Sequence, residues 1–336
     1  MKKLKLFVLS ALVLLALAGT LVLGLAWYWV ERPVALNADA VDYVVEPGAR
    51  PRAIAQLMNE AGIHVNEDAF VVLARLSGRD KMLKAGAYEV VRGDTPWKIL
   101  LRMANGDMTQ ARLTLVEGWN YKRIRLALRD DPQIKQTLEG VSDEELLTRL
   151  KATHSSLEGL LYPDTYVFVP GTADFDILRR AYHAQQQLLE TAWNERDPNL
   201  PLASPYEALV LASIVEKETG HPADRKRVAG VFINRLRLGM ALQTDPTVIY
   251  GMGDAYEGRI RKRDLTTDTP WNTYTRPGLP PTPIASVSRA SLLAALHPEE
   301  HNYLYFVSRG DGTSEFSKDL PAHNRAVSKY ILRRGG

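Results

Sequence analysis

The sequence predicts an α+β protein in three parts: an N-terminal transmembrane helix, a mixed strand-and-helix module, and a mostly helical domain with a loop-rich cleft. Three observations predict it. An uncharged apolar run fills residues 6–30, a strand–glycine–helix spacing recurs after it, and helical periodicity dominates beyond Pro132, broken by proline-rich loops. At 336 residues the chain exceeds one average domain. Its 46% hydrophobic and 24% charged residues are ordinary for a globular protein and exclude wholesale disorder. A net charge of +3 is too small to argue for nucleic acid, which needs a concentrated basic face. The absence of cysteine excludes disulfides, thiol nucleophiles and thiolate metal sites, and it suits any compartment.

The N-terminal helix rests on length and flanks. Residues 1–5 carry Lys2, Lys3 and Lys5, and the run Leu6 to Val30 contains no charge. Roughly 25 residues suffice to cross about 30 Å of hydrocarbon. Trp27, Tyr28 and Trp29 stand at its far end, where aromatic rings favour the membrane–water interface. The lysines place the N-terminus in the cytoplasm and everything after Glu31 outside. A cleaved signal peptide has an apolar core of only about 7–15 residues. Glu31-Arg32-Pro33 after an aromatic cluster is also a poor cleavage site, so an uncleaved, single-pass anchor is expected.

Residues 31–40 read as a linker. Three similar stretches follow it. Tyr43-Val-Val-Glu-Pro-Gly48, Tyr88-Glu-Val-Val-Arg-Gly93 and Leu113-Thr-Leu-Val-Glu-Gly118 are each followed, six residues after the glycine, by the isoleucine of an amphipathic helix: Ile54, Ile99 and Ile124. Glu67 to Leu76 reads as one more helix. Over residues 41–130 this arrangement resembles LysM-type modules, which bind the N-acetylglucosamine-containing glycan of cell walls. A generic α+β packing repeat accounts for the same spacing, and the pattern by itself leaves both open.

Residues 131–336 form the expected catalytic domain. Pro132 to Trp193 looks helical apart from a turn-rich, aromatic loop at Glu158-Gly-Leu-Leu-Tyr-Pro-Asp-Thr-Tyr166. Glu207 to Thr219 is a strong helix after a Ser204-Pro205 start. Arg225 to Leu238 is a second, ended by Gly239. Residues 240–290 are loop-rich. A helix over Ser288–Leu296, a strand over Tyr303–Ser308 and a last helix over Leu320–Arg333 complete the chain.

One carboxylate stands out by its helical phase. At about 100° per residue, Leu211, Ile214 and Val215 share a face; Glu218 falls inside that arc, while Glu216 projects elsewhere. A partly desolvated glutamic acid has a raised pKa and can stay protonated near neutrality, ready to protonate a departing sugar oxygen. A glutamate at a helix end beside Lys217 is equally a common solvated residue, and phase by itself does not decide. The segments Gln243-Thr-Asp-Pro-Thr-Val-Ile-Tyr250 and Trp271-Asn-Thr-Tyr274 combine amide, hydroxyl and aromatic groups suited to sugars, in loops that fit a cleft.

Leu211-Ala-Ser-Ile-Val-Glu-Lys-Glu-Thr219, Val231-Phe-Ile-Asn-Arg-Leu236, Leu242-Gln-Thr-Asp-Pro-Thr-Val-Ile-Tyr-Gly251, Asn272-Thr-Tyr274 and Gly278-Leu-Pro-Pro281 together closely resemble the YceG-like family. Further matching segments are the Glu158–Tyr166 loop, His297-Pro298, Tyr303–Val307 and His323-Asn324. The resemblance implies a lytic transglycosylase anchored in the inner membrane, with a LysM-like module and a lysozyme-related, mostly helical catalytic domain in the periplasm. It points to Glu218, followed by Thr219, as the catalytic residue. Gln243, Asp245, Asn272 and Tyr274 are candidates for holding the sugar or orienting Glu218, and Glu158 and Asp164 are candidate auxiliary carboxylates.

A retaining glycosidase usually has two carboxyls about 5–5.5 Å apart, and spacing ties no second acid to Glu218. A lytic transglycosylase needs none. The 2-acetamido carbonyl of the substrate can stabilise the anomeric centre, and one carboxyl can serve as acid and then as base. The expected reaction cuts the MurNAc–GlcNAc bond of nascent strands, leaves 1,6-anhydroMurNAc ends and stops elongation. Expected partners are glycan strands, the membrane and, from the family resemblance, peptidoglycan synthases, with no cofactor. A catalytically silent wall-binding scaffold and an ordinary hydrolase are the alternatives. His297-Pro-Glu-Glu-His301 lacks an evident third ligand for zinc, Gly251-Met-Gly253 lacks the setting of a nucleotide loop, and the basic runs Arg225–Arg227 and Arg259–Arg263 read as solvated faces.

Overall fold

Local start and stop signals delimit most helices in the computed structural model, which describes residues 2–332. Met1 of the expected cytoplasmic segment and Arg333, the expected end of the last helix, lie outside the described residues. Helix α1 (Lys2–Glu31) includes the stretch Leu12–Glu31, long and apolar enough to cross a membrane, and its described side chains are exposed from Leu12 to Tyr28. The backbone divides into two units, one of residues 1–111 with 167–172, the other of residues 112–166 with 173–336.

In the first unit the chain runs through β1 (Ala35–Leu36), β2 (Ala40–Val45), α2 (Pro51–Ala61), β3 (Ile63–His64), α3 (Glu67–Leu76), β4 (Gly86–Val91) and α4 (Pro96–Asn105). Pro51 and Pro96 open their helices at a position where a missing N–H costs nothing. Asn66 and Thr95 cap α3 and α4 by accepting from Ala69 and Lys98 N–H. Strand β2 pairs antiparallel with β4, with Tyr43 opposite Tyr88 and their ring centroids 5.9 Å apart. Tyr43, Val45, Tyr88 and Val90 meet Ile54, Met58, Phe70, Ile99, Leu100 and Met103 of the three helices in one buried core. Within the expected linker, Ala35 and Leu36 pair with His64 and Ile63.

The third strand–glycine–helix copy belongs largely to the second unit, as β5 (Ala111–Thr114) and α5 (Tyr121–Asp130). There follow α6 (Asp143–Leu150), β6 (Thr165–Phe168), α7 (Asp174–Asn194), α8 (Pro205–Glu218), α9 (Pro222–Arg237), α10 (Asp245–Met252), α11 (Lys262–Thr266), α12 (Arg289–Leu296), the antiparallel hairpin β7 (Tyr305–Ser308) and β8 (Ser314–Ser317), and α13 (Leu320–Tyr330). The expected helical span 132–193 is two helices with a strand between them. The expected loop region 240–290 contains α10 and α11, and α9 begins at Pro222, three residues before the expected start.

Helix α8 is the centre of this unit. Every residue from Ala208 to Val215 is buried, and the helix packs against α7, α9, α10 and α12. The proline-rich chain before α12 is tied to it by side chains. Ser213 Oγ accepts from Ile284 N–H at 3.0 Å, and Glu216 accepts from the N–H and hydroxyl of Ser288, the N-cap of α12. Gly159 allows a close approach nearby: its φ is +73°, and a Cβ there would lie 2.4 Å from Pro283 Cβ.

Candidate active site

Helix α8 ends at Glu218, and the next residues, Thr219 and Gly220, turn the chain towards α9. Glu218 is half-buried. Its Oε1 accepts a hydrogen bond from the hydroxyl of Thr244, and its Oε2 has no hydrogen-bond partner among the described residues. Burial pushes its pKa up to about 7, the nearby Asp245 carboxylate adds to the rise, and the Thr244 bond and the Arg235 guanidinium oppose it. A carboxyl so poised exists in both protonation states near neutrality.

The groups around Glu218 come from three separate stretches. Thr244 is the N-cap of α10, and Asp245 is its first residue. Tyr274 donates its hydroxyl to Asp245 Oδ1 at 2.6 Å. Arg235 of α9 is buried and donates to the backbone carbonyls of Leu304, Ala241 and Leu242, with its guanidinium 5.1 Å from the centre of the Tyr305 ring. It has no carboxylate salt-bridge partner among the described residues, and its charge favours the ionised form of Glu218, as the smallest of the causes acting there.

The structure therefore brings Asp245 and Tyr274 together beside Glu218. Gln243 is adjacent in the chain, exposed, with φ +51° and its N–H on Thr273 carbonyl at 3.1 Å; its side-chain amide has no partner among the described residues. Asn272 is different. It is 1% exposed, and its amide donates to the carbonyls of Asp264, Leu265 and Thr267 while its oxygen accepts from Tyr274 N–H at 2.9 Å. Its side chain is engaged in shaping the loop that presents Tyr274. Glu216 is engaged through Oε2 in capping α12, whereas Glu218 meets the Thr244 hydroxyl and lies near Asp245 and Arg235.

A cleft of about 630 Å³ adjoins this group, lined among others by Trp119, Tyr121, Glu158, Lys217, Tyr250 and Trp271. Glu218 stands beside it rather than in its lining; Lys217 and Pro246, the chain neighbours of Glu218 and Asp245, form its margin. Tyr250 and Trp271 meet edge to face at 5.4 Å, and Trp271 Nε1 donates to Thr282 Oγ1 at 2.9 Å. Glu158 is 3% exposed, accepts from Tyr121 N–H with both oxygens at 3.1 Å and from the Tyr250 hydroxyl at 3.1 Å, and has its pKa pushed up to about 7 by burial. Asp164 serves the backbone, accepting from Thr165 N–H. Thr244 and Arg235 lie in the family segments 242–251 and 231–236 but are not among the site residues expected from the sequence, and Trp119 carries no signal in the sequence that marks it as one. The histidines of the 297–301 segment face other groups: His297 Nδ1 lies 2.7 Å from Asp197, and His301 Nε2 2.9 Å from the Arg227 carbonyl.

Residues 43–329 match the model of the YceG-like family. The chain belongs to the YceG-like family. It is 33% identical over 313 residues to the endolytic murein transglycosylase of Bacillus subtilis, covering 88% of this chain and 86% of that protein. It is 26% identical over 364 aligned positions to the endolytic murein transglycosylase of Streptococcus pneumoniae, covering 97% of this chain and 65% of that protein. Among solved structures it is similar to a YceG-like protein of Listeria monocytogenes, with a TM-score of 0.56 and 29% identity over 85% of this chain and 99% of the other.

Proposed function

We infer that this YceG-like protein is an endolytic lytic transglycosylase of peptidoglycan, as its Bacillus and Streptococcus relatives are named, with Glu218 as its acid and base. The observation that carries the choice of Glu218 is its pairing of one bound and one free oxygen with a pKa raised to about 7. Protonated Glu218 gives its proton to the oxygen leaving the muramic acid anomeric carbon. The substrate's own acetamido carbonyl stabilises the electron-poor centre. Glu218, now a carboxylate, takes the proton of the 6-hydroxyl as that oxygen closes on the anomeric carbon, giving a 1,6-anhydro end.

The aromatic cleft is read as the approach of the glycan strand, with Gln243, Asp245 and Tyr274 holding the sugar at the acid and Asn272 holding the loop of Tyr274. The two helices α2 and α3 between β2 and β4, with the short β3 between them and an antiparallel β2–β4 pair, support a LysM-like, glycan-binding role for the first unit. Helix α1 is read as a single-pass inner-membrane anchor with its N-terminus cytoplasmic and the catalytic unit periplasmic, which favours nascent strands by effective concentration; peptidoglycan synthases are the partners that the family resemblance suggests.

The deciding experiment is digestion of isolated glycan strands followed by mass spectrometry. Anhydro ends about 18 Da lighter than hydrolytic ends are expected, and a loss of about a hundredfold or more in Glu218→Gln. Reducing ends would instead make the protein a hydrolase, and an inert wild type would make it a scaffold.

A further inference from the structure

Glu158 lies outside the reaction just described, yet it is the buried carboxyl in the lining of the cleft, where Asp143 and Asp254 are exposed. Its surroundings are of one kind. Tyr121 N–H, at the first turn of α5, reaches both of its oxygens, and the Tyr250 hydroxyl reaches Oε2. The Tyr121 N–H can only donate, which favours the ionised form, and the Tyr250 hydroxyl donates to that form as well. The helix N-terminus adds to that preference. Burial opposes it, and the outcome is a group poised to titrate near neutrality.

What Glu158 holds is α10. Tyr250 lies on this helix, six residues and about 9 Å of rise after Thr244, the residue that bonds Glu218. The same tyrosine packs edge-on against Trp271 at the cleft. One short helix thus carries the contact to the acid at one end and the contact to Glu158 near the other.

We propose that Glu158 is a positioning residue of the transglycosylase reaction: as a carboxylate it fixes Tyr250, and through α10 it fixes the Thr244 hydroxyl on Glu218. This rests on the reading of Glu218 as the acid. The two carboxyls then act in opposite protonation states, Glu158 ionised and Glu218 protonated, and activity falls on both the acid and the alkaline side of its optimum. The ionisable groups facing Glu158 are Tyr121 of α5, Tyr206 of α8 and Tyr250, which stay neutral over that range. The charged groups of the same cleft have partners of their own: Lys122 pairs with Asp254, Asp143 accepts from the Tyr121 hydroxyl, Lys217 donates to the Gly118 carbonyl, and Arg123 lies over Trp119.

The test is the pH profile of kcat/KM on isolated glycan strands for the full chain and for Glu158→Gln, Tyr250→Phe and the double variant. Each single variant should lose at least tenfold at pH 7 and should also lose the fall in activity below pH 7. The double variant should lose no more than the worse single one, since both break one connection. An unchanged acid limb in Glu158→Gln, or losses that multiply in the double variant, overturns the proposal. Tyr250→Phe keeps the buried carboxyl, so it decides the matter even if Glu158→Gln does not fold. Failure of the acid assignment looks different: Glu218→Gln would then still cleave, whatever the Glu158 variants do.

Discussion

Thr244 donates its hydroxyl to Glu218 across 26 residues of chain, although it sits at the N-cap of α10. A threonine there ordinarily bonds the backbone N–H two or three residues on. Here the side chain makes no such cap, and its hydroxyl is directed to the carboxyl instead. The geometry gives Glu218 one permanent partner on Oε1 while Oε2 stays available to a sugar oxygen.

Thr244→Val keeps the shape and removes this donor. The bond lowers the Glu218 pKa, so its loss raises it, and Glu218 stays protonated to higher pH. The alkaline limb of the kcat/KM profile should move up by about one pH unit. A limb that stays in place would show that the bond is not made in solution.

Asp245→Asn acts in the other direction. The Asp245 carboxylate raises the Glu218 pKa, and removing its charge lets Glu218 ionise at lower pH, so the alkaline limb should move towards acid. Tyr274 also loses a charged acceptor for its hydroxyl, and kcat should fall by roughly tenfold. Opposite shifts in these two variants, measured on the same strands, check the electrostatic account of the site.

Gly159→Ala should destabilise the second unit by about 3 kcal/mol. The backbone there is left-handed, and the new methyl would meet the Pro283 ring. Urea unfolding measures the loss, and cleavage should fall as well because the loop carries Glu158.

Stability should also report Glu158 directly. Its pKa is about 7 in the folded protein against 4.5 for the free side chain, so the folded state holds the extra proton between these values. The stabilisation is complete below about pH 4.5 and is lost as pH rises through 7, amounting to about 3 kcal/mol. Glu158→Gln does not titrate, so its stability relative to the wild type should improve by about that amount between pH 5 and pH 8. A difference that does not change with pH would place the carboxyl in a more polar setting than the structure indicates.

Much of the fold is legible in the chain because its signals are local. Glu67 to Leu76 forms a helix with the expected bounds, Ser204 caps where expected, and the apolar length of α1 is a matter of composition. Helical phase pointed to Glu218, but α8 is buried on every side from Ala208 to Val215, so phase separates little on such a helix. What distinguishes Glu218 from Glu216 is their surroundings: Ser288, 72 residues away, ties Glu216 to the start of α12, while Thr244, Asp245 and Arg235 gather around Glu218.

The sequence by itself thus determined the anchor-like helix, the main helices of both units, and the motifs that mark the family. Only the tertiary structure decided that Asn272 is turned inward to hold its loop, that Arg235 stands near Glu218 as a buried cation, and that Glu158 meets Tyr250 across 92 residues. Caps, turns and apolar periodicity act within a few residues and can be read along the chain. The desolvation and pairing of a carboxyl depend on groups that only folding brings together.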